Sequence, residues 1–276
     1  MKREIISTKE ASTLLGVGPT TVKRWADEGR IPSLRTAGGH RRFRRKDVLE
    51  LLRESAQKSS AADDDLDRWI QLLISQVNLF AIQAALLEQR AAQGSWAEVA
   101  DTLGAVLERI GERWRLGQLS IVQEHLATAR LTRAIAACAA QIPVRADAPR
   151  CVLAMAERDP HTVGLSLAEL CAREAGWSIE WVGAETPTQE LLSWVEDNPV
   201  NAIAVSASRW AEDAESLQLQ YSQLAAACRE HDIALVLGGE GAWPAQLNFG
   251  HRIQSFTQFR DLLEELVSGE VHHVAS

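Results

Sequence analysis

The sequence predicts an α + α/β chain in three successive parts: a small basic winged helix-turn-helix, an all-helical middle, and an α/β domain with a five-stranded parallel sheet. Three observations predict it. Charge is divided: residues 1–53 carry 13 Lys/Arg against 6 Asp/Glu, a net of +7, while the rest carries 16 against 31, a net of −15. A basic head on an acidic body points to a head that alone meets a polyanion. From Leu66 to Ile142 Pro is absent and Ala, Leu, Gln, Glu and Arg dominate, with an apolar stripe at helical spacing. From Arg150 onward, short apolar runs alternate with helical stretches.

The 276 residues suffice for about two domains of ~150 residues. A hydrophobic content of 46% with 24% charged residues is ordinary for a globular protein. No run of about 18 apolar residues signals a membrane span, and MKREIISTKEAS has no signal-peptide core, so a cytoplasmic location is expected. Cys138, Cys151, Cys171 and Cys228 show no CxxC spacing and read as reduced core thiols.

The head is expected over residues 1–54. In TKEASTLL (8–15), Ser7 or Thr8 caps a first helix and Glu10 lies near its first turn. Gly16-Val17-Gly18 breaks it. PTTVKRWADEG then begins with Pro19 at a first helical position and stops at Gly29. Ala11, Leu14, Leu15, Val22 and Trp25 would form the core, leaving Thr20, Thr21, Lys23 and Arg24 on the outer face, where a second helix enters a major groove. Gly38-Gly39 signals a hairpin turn, crowded by Arg35, His40, Arg41, Arg42, Arg44 and Arg45: a basic wing. KDVLELLRES closes the unit as a third helix. With TVKRWADEGRIP and GGHRRF, this order of elements resembles the DNA-binding domain of MerR-type transcription regulators over residues 4–53. The resemblance implies binding to a double-stranded DNA operator, with arginines near phosphates and helix side chains at base edges.

SAQKSSAADDD (55–65) is small, polar and charged, and reads as a flexible linker. Four helices are expected in the 66–145 bundle, at about 66–74, 76–92, 96–113 and 119–141. A bundle of this size can serve simply as a packing or oligomerisation unit. Within it, RWRLGQLSIVQEHLATARL sets Trp114 near a helix end, ahead of a Gly-containing turn and an adjacent Glu124-His125 pair. Adjacent helical residues point about 100° apart, so both rarely bury in one face, and a buried pair needs partners.

In the last part, 150–276, strands are expected at about 151–155, 178–182, 201–206, 233–237 and 252–255, with helices at about 163–175, 187–197, 211–230, 241–248 and 257–268. This is a flavodoxin-like or Rossmann-like pattern, whose ligands sit at the carboxyl ends of the strands. Three such ends carry unusual residues: RDPHTVG, then Ser206-Ala207-Ser208, then GGEGAWP (238–244). Asp159 can hold the proton on one nitrogen of His161 and leave the other for a metal. Gly164 lets something large approach the backbone, and Gly238-Gly239 opens a slot on a neighbouring strand. One His is too few for zinc, which takes three or four ligands. It suits a metal that brings its own macrocycle.

DPHTVG fits the D-x-H-x-x-G of cobalamin-binding domains, and Ser206 with Gly238-Gly239 fits the later serine and Gly-Gly elements of those domains. Trp114, Glu124 and His125 fit W-x9-E-H. With the MerR-type head, the chain resembles the CarH/LitR family of light-dependent regulators over nearly its whole length. The resemblance implies adenosylcobalamin as chromophore, with His161 as lower ligand of the cobalt and Trp114, Glu124 and His125 over the upper face. It implies a tetramer that grips DNA in the dark and falls apart when light breaks the cobalt–carbon bond. Where family members often carry a His directly after the Trp, this chain has Arg115, which cannot deprotonate to bind a metal. Two other readings stand beside this one: a regulator that senses cobalamin or another tetrapyrrole without light, and an apo interaction module. A corrinoid enzyme would need a substrate domain, for which the assigned parts leave no room, so no catalytic activity is expected.

Overall fold

A computed structural model describes residues 4–36, 38–211 and 213–269, with backbone alone over 53–62. The chain forms two compact units, one ending at Arg68 and the other starting at Trp69.

In the first unit, α1 (Thr8–Leu15) starts at a complete capping box. The Ser7 hydroxyl accepts the Glu10 N–H while the Glu10 side chain reaches back to the Ser7 backbone. Gly16 ends the helix in the left-handed region. α2 (Pro19–Asp27) starts on Pro19 as its sequence demands. β2 (Leu34–Arg35) and β3 (Arg41–Arg44) form the wing hairpin. The sequence reading missed β1 (Ile5–Ser7), which pairs with the other edge of β3. Three residues are too few to show an alternation. Ala11 and Val22 are buried with Ile6, Ile31, Phe43 and Val48, and Leu14, Leu15 and Trp25 pack against them. The closing helix is longer than expected: α3 runs Arg45–Ser75. The linker expected over 55–65 is therefore helical backbone. Small polar composition signals a linker only when Gly or Pro breaks the helix, and this stretch has neither; its Ala, Gln, Lys and Asp are compatible with helix.

The second unit holds a helical layer and a sheet. α4 (Leu79–Gln93), α5 (Trp96–Arg115) and α6 (Ile121–Ala139) follow the end of α3 within two or three residues of their expected bounds. The sheet strands are β4 (Arg150–Met155), β5 (Ser178–Gly183), β6 (Ala202–Ser206), β7 (Ala234–Gly238) and β8 (His251–Arg252). All pair in parallel, in the order β5-β4-β6-β7-β8. Of the two expected patterns this is the flavodoxin-like one, with its switch point between β4 and β6. α7 (Val163–Glu174) and α10 (Phe256–Ser268) lie together beside α5, while α8 (Thr188–Asp197) pairs with α9 (Ala214–Glu230). Val152, Ala154, Ile203, Val205, Leu235 and Leu237 pack in one core with residues of α8 and α9, and the intervening Cys151, Leu153 and Met155 are buried too. Strands covered on both faces give the continuous apolar runs seen in the sequence.

The helix expected over 241–248 is absent: the segment is an irregular loop. Pro244 removes a donor, and Gly241 presses so close to Ala207 that a Cβ there would stand 2.4 Å from the Ala207 Cβ. The Trp243 indole N–H bonds to the Gly238 carbonyl at 2.9 Å, folding the loop back on its own strand. Among the described residues no helix is long and apolar enough to cross a membrane.

Candidate functional site

Register brings the three unusual strand ends to one level. Met155 pairs with Ser206, and Ser206 with Gly238. Past them, the loop after β4 and the loop after β6 flank the switch point, where a parallel sheet leaves a crevice. Asp159 bridges the two loops and is fully buried. Its carboxylate accepts from Ser208 N–H at 2.6 Å and Ser208 hydroxyl at 3.1 Å, and from His161 N–H at 3.1 Å. His161 Nδ1 lies 2.7 Å from Asp159 Oδ1. Burial works to raise the Asp159 pKa, but the hydrogen bonds from Ser208 and His161 outweigh it and hold the carboxyl below the usual aspartate range.

With Nδ1 held as a donor, the lone pair of His161 sits on Nε2. The His161 side chain is 51% exposed, and among the described residues Nε2 has no partner. Gly164, in the first turn of α7, has open space on its Cβ side: a side chain there would meet no atom within 4 Å. Arg158, just before Asp159, takes a left-handed φ of 60°. The loop is moored from behind, as the Glu157 carboxylate accepts the Thr188 N–H and Gln220 bonds both the Glu157 N–H and the Thr188 hydroxyl.

Gly239 has a different reason from the expected one. At φ 79°, a Cβ would stand 2.1 Å from the Ala207 carbonyl oxygen. The glycine lets two strand ends touch; it does not open a slot. A Cβ on Gly238 would meet only Ile253, at ordinary contact distance. Arg252, which sequence reasoning missed, braces this turn. Its guanidinium donates to the Leu237, Gly239 and Ile253 carbonyls, and burial pulls its pKa down.

The helical layer packs against α7 and α10. Glu174, at the end of α7, accepts the Trp96 N–H at the start of α5 at 2.7 Å and ion-pairs with Arg90 of α4 at 2.6 Å. Asp101 caps the start of α10, accepting from Phe256 N–H at 2.6 Å and the Thr257 hydroxyl at 2.6 Å. Farther along α5, Glu108 lies by Glu240, just past Gly239, and its pKa is raised by burial first and then by that neighbouring carboxyl. Trp114 is six residues beyond Glu108, so it stands about 9 Å farther up the helix. It is 44% exposed. Glu124 and His125 lie in the first turns of α6, with His125 Nε2 3.4 Å from Glu124 Oε2 and the Thr128 hydroxyl donating to Glu124. No hydrogen bond or ion pair joins these three residues to His161 among the described residues. Glu124 and His125 meet each other rather than core partners, since their end of α6 is open to solvent.

In the head, Thr20, Lys23, Arg24, Arg35 and His40 are exposed, and Thr21 and Arg42 half-buried. Arg41 departs from the expected outward wing: its side chain is 14% exposed and turned onto α2, where it engages Asp27 and the Lys23 carbonyl.

Two family models match the chain: a helix-turn-helix domain over residues 5–56 and a B12 binding domain over residues 81–139. The second falls on α4–α6, so the helical layer itself carries the B12-domain signature. Against the transcriptional repressor DcmR of Methylorubrum extorquens the chain is 34% identical over 62 residues, 22% of this chain and 23% of that protein. Against the glutamate mutase sigma subunit of Halobacterium salinarum it is 33% identical over 91 residues, 33% of this chain and 59% of that protein. The chain thus spans about a quarter and about three fifths of the length of these curated relatives. The monomethylamine corrinoid protein of Methanosarcina barkeri shares the fold, with a TM-score of 0.55 at 14% identity over 72% of this chain and 96% of that one. The chain therefore joins a DNA-binding helix-turn-helix domain to a B12-binding domain in which a helical layer packs on a parallel α/β sheet.

Proposed function

We propose that this protein is a cobalamin-dependent transcription regulator that reads light through adenosylcobalamin. One observation carries the cofactor: a buried Asp159 holds Nδ1 of a half-exposed His161 at the switch-point crevice, leaving Nε2 without a partner among the described residues. That is the donor set of a single histidine ligand to a metal, and the open space at Gly164 fits a macrocycle more than a small ion. His161 would hold the cobalt, Asp159 and Ser208 would keep the imidazole proton on Nδ1, and Ser206, Gly238 and Gly239 would form the far wall of the crevice. Trp114, Glu124 and His125 would cover the opposite face. When bound, adenosylcobalamin supplies a cobalt–carbon bond that visible light breaks.

The chain's own part is positional. Trp114, Glu124 and His125 sit on the helical layer and His161 on the sheet, so an occupant between them sets the spacing of the two. Light would change that spacing and, through it, the assembly of several basic heads on an operator. Arg115 favours a second reading, a regulator responding to cobalamin alone, because no imidazole follows Trp114 to take over as ligand after illumination.

The test is an absorption spectrum of the full chain with adenosylcobalamin, taken in darkness and again after green light. The wild type should shift the corrin bands on binding and shift them again on illumination. His161→Ala should bind about 10–100-fold more weakly, the usual cost of losing a metal ligand or its partner. Equal affinity and equal spectra in His161→Ala would remove the axial-ligand assignment. An unchanged wild-type spectrum after light would leave the second reading.

A further inference from the structure

Wing and α2 share the buried core of Phe43 and Val22, and Arg41 adds a polar link between them. Arg41 opens β3, and its guanidinium turns back onto the helix. Nη1 donates to the Lys23 carbonyl at 2.6 Å and Nη2 pairs with the Asp27 carboxylate. Both acceptors lie on the last turns of α2, where the helix dipole favours a cation. Two donors of a planar fork on two acceptors fix a direction as well as a distance. The Arg41 side chain is 14% exposed, against 67% for Arg24, which points outward from the same helix. The Arg41 hydrogen bond, aided by its charge and that of Arg35, holds the Asp27 carboxyl below its usual range.

We infer that Arg41 and Asp27 are positioning residues: they fix the wing to α2 so that both surfaces meet DNA together, and Arg41 is not itself a phosphate contact. This rests on the reading of the head as DNA-binding. Arg35, His40, Lys23 and Arg24, all exposed, keep the contacting role. Asp27 makes the inference testable by sign. Its side chain is 64% exposed on a basic surface. Plain Coulomb attraction predicts that removing this negative charge strengthens binding to a polyanion. Loss of wing placement predicts the reverse, because an unfixed wing must be ordered again at the moment of binding.

The experiment measures binding of the full chain to a mixed-sequence DNA duplex by anisotropy across a salt series. Asp27→Asn and Arg41→Ala should each lower affinity about tenfold, the size of one charge-assisted contact. Neither should change the slope of log K against log salt, and the double variant should be no weaker than either single one. Arg35→Ala, a phosphate contact, should flatten that slope by about 0.9. Arg41→Lys keeps the charge but not the fork, so it should bind as weakly as Arg41→Ala. Tighter binding by Asp27→Asn, full affinity in Arg41→Lys, or a flattened slope in Arg41→Ala would each overturn the inference. Circular dichroism melts identify any variant whose head unfolds; if Arg41→Ala does, Asp27→Asn and Arg41→Lys decide alone. Wild-type protein that does not bind duplex, or binds it without salt dependence, overturns the DNA-binding reading instead.

Discussion

Asp159 is the residue on which the crevice depends. Its two oxygens accept four hydrogen bonds, two from Ser208 and two from His161. Asparagine offers one oxygen and turns an N–H₂ group toward those donors. Asp159→Asn should therefore destabilise the protein by about 1–3 kcal/mol, the range for a buried group left unsatisfied. It should also weaken cobalamin binding by freeing the imidazole tautomer. The pH dependence follows from the lowered pKa. A carboxyl whose folded pKa lies below its unfolded value, about 3.9, stabilises the fold fully above that value and loses the contribution as pH falls through the lower one. Melting temperature followed from pH 7 to pH 3 should fall less steeply at the acid end in Asp159→Asn than in the wild type. Parallel curves would mean that the Asp159 hydrogen bonds contribute nothing.

Between elements, the helical layer is fixed to the sheet at one end by Glu174 and Asp101, each of which accepts from a helix N-terminus. At the other end, toward Trp114, it meets a pair of carboxyls. Glu108 of α5 has its pKa raised, first by burial and then by its hydrogen bond to Glu240 and that group's charge, with Arg209 opposing. A group with a raised folded pKa stabilises at low pH and loses that contribution as pH rises through the folded value. Near neutral pH, then, Glu108 and Glu240 repel. Glu108→Gln keeps a hydrogen bond and removes the repulsion. It should raise the melting temperature by about 1–3 °C at neutral pH, the scale of one exposed charge pair, with the gain lost as pH falls from the raised folded pKa to the unfolded value of about 4.3. A variant that melts lower at pH 7 would sink this account. None of this was legible in the sequence, because Glu108 and Glu240 meet only through tertiary packing. The Asp159–His161 pair was legible: two residues apart at a strand end, it needs no long-range information beyond the strand itself. Ser208 was legible as a strand-end serine, but not as the donor that bridges two loops. The 241–248 stretch misled because its Ala, Leu and Trp mimic a helix while Gly241 and Pro244 forbid one. The 55–65 stretch misled in the other direction.

At the scale of the whole molecule, the proposal asks one bound group to control assembly. A ligand shifts a two-state population only by its difference in affinity for the two states, and moving from 1:99 to 99:1 takes about 5.5 kcal/mol. An adenosyl group between Trp114, Glu124 and His125 and the sheet would stack on an indole and hydrogen-bond a carboxylate and an imidazole. Each such contact is worth roughly 1 kcal/mol, so the three supply about half of the requirement and the apolar area that the ring buries supplies the rest, whereas water or cyanide in its place supplies neither. The expected outcome is that adenosylcobalamin, and not the aquo or cyano form, drives assembly in darkness, and that green light undoes it. Several linked heads bind DNA more tightly than one, so the lit protein should lose operator affinity without any change in the head itself. Trp114→Ala should narrow the difference between adenosyl and aquo forms. With Arg115 in place of an imidazole, Arg115→His should slow the return to the dark assembly when fresh adenosylcobalamin is added. Size-exclusion chromatography with light scattering, run dark and then lit, decides the matter: equal mass in both, with cobalamin bound, removes light-controlled assembly and leaves a regulator that senses the cofactor alone.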